Sequence, residues 1–308
     1  MSKNLRDGLT PMFDRFIKKD AAPELRSRVS KGAKGKAAKE RAPGGYLLPH
    51  AVPGFRRELN VRDLGGYETE DGRKVREGLL IRCAAPGEMD AAEVEAFAGL
   101  GIVSLMDFRS GDERAKLPDP IGVSEDYYPI SAVKFSDDAE VDLSPAAIMK
   151  AALGQKGRDK VGSLAKMFYT DVLFDNEAFR KMFDLLLAGR APMAIHCTAG
   201  KDRTGIAAIL ILLVLGADRE TAKRDYALTN RYRRKLLYAE YDRHRILNRI
   251  SRNMRSVATL SQGVFPEMAD AVFEAVVKKY GDFDTYFEKE YGLFEAEREK
   301  LREMYTEG

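Results

Sequence analysis

The 308 residues contain no tryptophan, only 2 cysteines and only 3 histidines. Each scarcity excludes something. Two thiols, Cys83 and Cys197, cannot build a disulfide framework, so a reducing, cytoplasmic setting is expected. His50, His196 and His244 are scattered without metal-ligand spacing, and neither a metal nor an organic cofactor is expected. Long apolar runs are missing too. The longest, residues 206–215, is too short to span a bilayer. Residues 1–30 lack the continuous apolar core of a signal peptide. No internal repeat is visible. With 44% hydrophobic and 32% charged residues, the remainder describes a globular chain long enough to bury a sizeable core.

Net charge is also small, +3, but unevenly spread. Residues 1–50 carry 12 basic against 5 acidic residues, which leaves 39 basic against 43 acidic in the rest. The expected organisation is therefore a basic leader over 1–50 followed by one folded domain over 51–308. In the leader, Leu5, Leu9, Met12, Phe13, Phe16 and Ile17 share one helical face. That face either packs on its own domain or meets an anionic membrane surface or a partner. Residues 21–50, rich in Lys, Ala, Gly and Pro, read as a flexible linker.

What the chain does have is one informative stretch, Ala194-Ile195-His196-Cys197-Thr198-Ala199-Gly200-Lys201-Asp202-Arg203-Thr204-Gly205. A short apolar run before it reads as a buried strand, and the apolar run after it as a buried helix. Strand, tight loop and helix start together make an anion site, because unpaired backbone N–H groups and the positive end of the helix dipole converge there. Cys197 in that field is favoured as a thiolate, the nucleophilic form. Arg203 offers a planar fork for two oxygens of a phosphate. Gly200 lets the backbone approach an oxyanion. Thr204 places a hydroxyl next to the sulfur, and His196 is expected to orient the loop from behind. The loop is not a nucleotide-binding P-loop, since Gly200-Lys201 is followed by Asp202 rather than Ser or Thr.

A cysteine, five residues and an arginine form the signature of cysteine-dependent phosphatases. The fuller string His-Cys-Thr-Ala-Gly-Lys-Asp-Arg-Thr-Gly resembles the bacterial atypical tyrosine and phosphoinositide phosphatases. Two further strings carry the same resemblance: Asn60-Val61-Arg62-Asp63-Leu64-Gly65-Gly66-Tyr67 and Asp225-Tyr226-Ala227-Leu228-Thr229-Asn230. It extends over about residues 52–306. It implies a cysteine-phosphatase-like α/β fold, with a small, mostly parallel sheet inside a helical shell and a helical C-terminal part. It also implies a phosphocysteine intermediate, with Cys197, Arg203 and Thr204 in catalysis and Thr198, Ala199, Gly200 and Lys201 around the phosphate. A Trp-Pro-Asp acid loop is impossible without tryptophan. The related enzymes favour the loop aspartate, here Asp202, as the acid, with Asp107 the alternative.

The residues along the chain fit that architecture. A turn at Asp71-Gly72 precedes a strand over 78–82. Asp90 caps a helix to about Leu100, and strands over 102–106 and 126–130 follow. Asp107 and Arg109 end the first of these, where open α/β sheets place their sites. Arg109 is thus a candidate substrate ligand and Asp107 a catalytic or loop-orienting carboxylate, unless the two only pair with each other. Arg62 and Asp63 read as a structural ion pair. Helices are expected within 145–188, over 219–232, over 266–279 and in two short pieces to Tyr305. Residues 231–255 hold nine Arg or Lys against Glu240 and Asp242, interleaved with three tyrosines. This run is either a solvated helix face or a rim for a polyanionic substrate.

Three activities compete at this point. They are a tyrosine or dual-specificity protein phosphatase that also accepts phosphoinositides, an inositol-polyphosphate phosphatase, and a phosphate-binding module without turnover. The intact Cys197, Arg203 and Thr204 argue against the third, and no nucleic-acid partner is expected. Cys83 is either a thiol able to trap oxidised Cys197 or a small buried hydrophobe.

Overall fold

The structure, a computed structural model, describes residues 48–133, 168–243 and 259–308. Residues 48–308 group as one compact unit. The amphipathic leader segment, most of the linker, Leu164 and Met167, and the basic positions from Arg245 to Arg255 lie outside the described residues.

A five-stranded sheet forms the centre, in the order β1 (Arg62–Asp63), β3 (Leu80–Cys83), β6 (Met193–His196), β4 (Ser104–Asp107), β5 (Asp126–Pro129). All neighbours are parallel except β1, which runs antiparallel to β3. Strand β2 (Lys74–Val75) pairs separately with β7 (Thr306–Glu307), joining the domain's two ends. Strands β3, β4 and β6 are buried at every position, as parallel strands covered on both faces must be. The outer strand β5 alternates between half-buried and exposed.

Helix α1 (Ala91–Ala98) links β3 to β4, capped by Asp90 in a reciprocal box with Glu93. Helix α2 (Gly111–Lys116) follows β4 and carries the same box, Ser110 with Glu113. Helices α3 (Glu177–Leu187), α4 (Asp202–Val214) and α5 (Arg219–Tyr232) surround the other face. Then come α6 (Arg234–Arg243), α7 (Glu267–Tyr280), α8 (Phe283–Tyr291) and α9 (Glu295–Tyr305). Helix α4, Asp-Arg-Thr-Gly-Ile-Ala-Ala-Ile-Leu-Ile-Leu-Leu-Val, is apolar nearly all round and accordingly buried. Among the described residues no helix is long and apolar enough to cross a membrane.

The sequence pattern placed β3, β4, β5, β6, α1, α4, α5 and α7 to within about four residues, but not the short strands β1, β2 and β7 or helix α2. The helical pattern expected through residue 188 is interrupted: residues 168–171 are helical, 172–176 are not, and Asn176 caps α3 afresh through Phe179 N–H. Alternation along the strands separates two apolar clusters. Ile81, Cys83, Leu105 and Ala194 pack with Phe97 of α1. Leu80, Met106, Met193, Ile195 and Cys197 pack towards α3 and α4.

Candidate active site

The C-terminal ends of β3, β4 and β6 converge at one edge of the sheet, and β6 continues there into residues 197–201 and α4. Cys197 is 2% exposed. Among the described residues, the amides of Thr198, Ala199, Gly200 and Lys201 donate to no protein group. They wrap the start of α4, where the helix dipole adds positive potential.

The loop is held by its carbonyls. Gly200 O accepts from Asn60 Nδ2 at 2.7 Å and from Arg82 Nη2 at 3.0 Å. Ala85 N–H donates to Thr198 O, and Arg233 Nη1 approaches Ala199 O at 3.4 Å. With the carbonyls of Thr198, Ala199 and Gly200 bonded to groups outside the loop, the loop N–H groups are left for an anion. Gly200 itself has φ +61°, and a Cβ there would lie 2.3 Å from Cys83 O. Glycine is required by the Cys83–Ala84 backbone packed behind the loop, rather than by close approach to an oxyanion.

Arg203 is aligned by a residue that sequence reasoning missed. Glu113 takes Nη1 and Nη2 of Arg203 in two 2.7 Å hydrogen bonds, and Phe108 O takes Nη1 at 3.2 Å. Of the five guanidinium N–H groups, this leaves Nε–H and one Nη2–H, side by side on one edge, for two oxygens of a phosphate. Thr198 Oγ1 donates to the same Glu113 at 2.5 Å. Arg203 and Thr198 together hold the Glu113 carboxyl down to about 2, against the pull of burial. Its signal was in the sequence: Ser110-x-x-Glu113 is a capping box directly after Asp-Phe-Arg.

Behind the loop lies a buried ion cluster. Asp225 takes Arg62 Nε at 2.9 Å and Arg82 Nη1 at 2.5 Å, all three side chains being fully buried. Despite burial, Arg62 and Arg82 lower the Asp225 carboxyl to about 2. Two guanidinium groups against one carboxylate leave positive charge beneath an anion cradle. Arg62 therefore does not pair with Asp63, as expected from sequence. Asp63 instead accepts from the amides of Gly65 and Gly78 across the turn.

Three other expected site residues are placed differently. Asp107 and Arg109 are wholly buried and bonded to each other through Nε at 2.9 Å and Nη2 at 2.8 Å. Arg109 also binds Asp119 and Leu117 O, and Tyr127 donates to Asp107 at 2.6 Å. Arg109 thus has no edge for substrate. Arg109, His196 and Tyr127 keep the Asp107 carboxyl below its ordinary value against burial, the opposite of what a proton donor needs. Asp107, Asp119 and His196 lie close enough for a metal, but the Arg109 guanidinium already fills the cation's role there. Lys201 does not face the loop either. Its Nζ bonds Leu260 O and Gly263 O and lies 3.2 Å from Asp202 Oδ2.

Asp202 opens α4 half-buried, with Oδ1 accepting from Tyr169. Thr204 Oγ1 is buried and has no hydrogen-bond partner among the described residues. His196 Nδ1 lies 3.2 Å from Cys197 O, so the ring does brace the loop from behind. Cys83 is fully buried in the α1-side cluster whereas Cys197 packs in the other, and burial, with the nearby Asp119 and Cys197, raises its thiol well above the ordinary range. The packing reading of Cys83 is the one this placement favours.

A parallel sheet whose central strand runs through a cysteine, five residues and an arginine into a helix N-terminus defines a phosphatase of the cysteine-loop class. The profile of the tyrosine phosphatase family matches residues 54–307, and the chain belongs to that family. It is similar to a candidate tyrosine-protein phosphatase of Cupriavidus necator, 27% identical over 81% of this chain and 86% of that one. The triple specificity protein phosphatase PtpB of Mycobacterium tuberculosis is 30% identical over 56% of this chain and 66% of its own. A tyrosine-protein phosphatase of Nostoc commune is 28% identical over 50% and 49%. The protein is an enzyme of the protein-tyrosine-phosphatase type.

Proposed function

We propose that the chain is a two-step phosphomonoesterase that removes phosphate from phosphotyrosine-bearing proteins and from phosphoinositides. In the first step Cys197 Sγ attacks phosphorus and the bond to the leaving oxygen breaks. Asp202 delivers the proton that this oxygen needs. In the second step water attacks the phosphocysteine, Asp202 takes a proton from it, and the P–S bond breaks to regenerate the thiolate. Throughout, the loop amides and the free edge of Arg203 hold the equatorial oxygens.

The observation that carries this reading is the pairing of four loop amides, unbonded among the described residues, with the open edge of Arg203 around Cys197. A binding module would need no sulfur there. The buried Thr204 hydroxyl, without a partner among the described residues, supports a role towards that sulfur as it leaves phosphorus. Asp202 is preferred to Asp107 because Asp107 is sealed and saturated. The relative named for triple specificity favours a substrate range wider than phosphotyrosine. The basic residues at 231–243 favour the same, of which Arg231, Arg234, Lys235 and Arg243 are exposed.

The deciding experiment compares a phosphotyrosine peptide, phosphatidylinositol phosphates and phytate on one preparation. The expected order places the peptide first, the phosphoinositides second, and phytate at background. Preference for phytate would replace this reading with an inositol-polyphosphate phosphatase.

A further inference from the structure

The Asp225-Tyr226 string is only half explained by the ion cluster, because Tyr226 takes no part in it. Its hydroxyl lies 2.6 Å from that of Tyr169, which in turn donates to Asp202 Oδ1. Both phenols are buried, at 2% and 0% exposure, and their rings meet edge to face with centroids 6.2 Å apart. The ring of Tyr226 is fixed from a second side. It lies so close to Gly205 in the first turn of α4 that a Cβ there would come within 2.7 Å. Its neighbour Asp225 is pinned by Arg62 and Arg82. A chain of two hydroxyls thus runs from a rigid point on α5 to the carboxyl at the start of α4.

We propose that Tyr169, itself oriented by Tyr226, is the positioning residue for the Asp202 carboxyl. The inference rests on the reading of Asp202 as the acid. A carboxyl at the first position of a helix can rotate freely, and a proton donor must stay within hydrogen-bond reach of one oxygen atom. Tyr169 captures Oδ1 and so fixes the carboxyl plane. Oδ2 is then the oxygen that carries the proton. Lys201 Nζ, 3.2 Å from Oδ2 and with its other two N–H groups on Leu260 O and Gly263 O, takes one lone-pair site of this oxygen and leaves the other for the proton that goes to the leaving group. Burial and the nearby Asp202 carboxylate raise both phenols well above their ordinary range, so they act as neutral hydrogen-bond donors throughout. Neither phenol touches the substrate in this scheme. Gly205 acquires a reason as well, because any side chain there would displace Tyr226 from the chain of hydroxyls.

Tyr169→Phe and Tyr226→Phe remove only the hydroxyls and keep the rings that pack. The test measures kcat and KM for these variants, Asp202→Asn and the Tyr169→Phe/Asp202→Asn double variant. The substrates run from p-nitrophenyl phosphate, with a good leaving group, to an alkyl phosphate, with a poor one. Tyr169→Phe is expected to lower kcat about tenfold on the poor leaving group and less than about twofold on the good one, with KM little changed. Tyr226→Phe is expected to show a smaller loss of the same selectivity, and the double variant to be no slower than Asp202→Asn. A loss that is uniform across the series, or a further loss in the double variant, overturns the inference. If Asp202→Asn shows selective loss while Tyr169→Phe shows none, Asp202 stands as the acid and Tyr169 alone is excluded. If Asp202→Asn loses nothing on the poor leaving group, the acid assignment itself falls and takes the inference with it.

Discussion

Glu113 meets Arg203 through two parallel 2.7 Å hydrogen bonds and thereby decides which edge of the guanidinium faces the cradle. The carboxylate comes from α2, after β4, whereas the arginine comes from α4, after β6. The pair therefore locks two of the three converging strand ends together.

Replacing Glu113 with Ala frees the guanidinium to rotate and removes the partner of Thr198 Oγ1. Misplacing a binding group by about 1 Å costs on the order of 10²-fold in rate. Glu113→Ala is therefore expected to lower kcat/KM by about that factor and to weaken inhibition by inorganic phosphate. Glu113→Gln, which retains one acceptor oxygen, should recover part of both. Wild-type phosphate inhibition in Glu113→Ala would show that Arg203 holds its orientation unaided.

Cys197→Ser should abolish turnover yet keep affinity for tungstate, because the loop amides and Arg203 are untouched by the change. Steady-state assay and calorimetric titration check the two halves separately. Hydrolysis above about a tenth of the wild-type rate would contradict attack by the thiolate.

Asp225 gives the fold a defined dependence on pH. The folded carboxyl titrates at about 2, below its unfolded value of 3.8, so it stabilises the native state fully above about pH 4. That contribution, on the order of 2 kcal/mol, is lost as the pH falls from 3.8 towards 2. Asp225→Asn leaves Arg62 and Arg82 buried without a counter-charge, at a cost of about 3–5 kcal/mol near neutral pH. Urea denaturation at a series of pH values measures both effects. The variant should show a shallower acid limb than the wild type; an unchanged limb would mean that other carboxylates govern acid unfolding.

The parts of this architecture that repeat a local rule were legible in the sequence. Asp90 announces its helix by capping, and the apolar run after Arg203 reads as a buried helix, whereas the equivalent box of Ser110 with Glu113 was there and overlooked. The loop from Cys197 to Arg203 was legible because its residue types and spacing act together. Partners brought in from afar were not. Arg62 bonds Asp225, 163 positions away, and nothing in its neighbourhood distinguishes that from a pair with adjacent Asp63. Asp107 and Arg109 sit where a site residue should, yet Asp119 and Tyr127 close around them. Burial of that kind depends on tertiary packing, which spacing alone does not report.

Lys201 was expected to add positive charge beside the phosphate, and its actual partners give a different outcome on substitution. The side chain is 9% exposed, and its ammonium is engaged by Leu260 O, Gly263 O and the Asp202 carboxyl. Nearby, Arg233 bonds both the backbone and the side chain of Gln262, and Asn230 bonds both backbone groups of Val264. Lys201 is thus one of three clamps that fasten residues 260–264 against the loop and the end of α5. Hydrogen bonds from a charged donor contribute about 1.5–3 kcal/mol each, and their loss leaves buried carbonyls unpaired. Lys201→Met is therefore expected to lower the melting temperature and to speed amide hydrogen exchange over 260–264. Its effect on kcat/KM should be the same, within about threefold, for singly and multiply phosphorylated substrates matched in leaving group, because the ammonium does not meet their extra phosphates. A much larger loss on the multiply phosphorylated substrate would mean that Lys201 leaves its carbonyls when such a substrate binds.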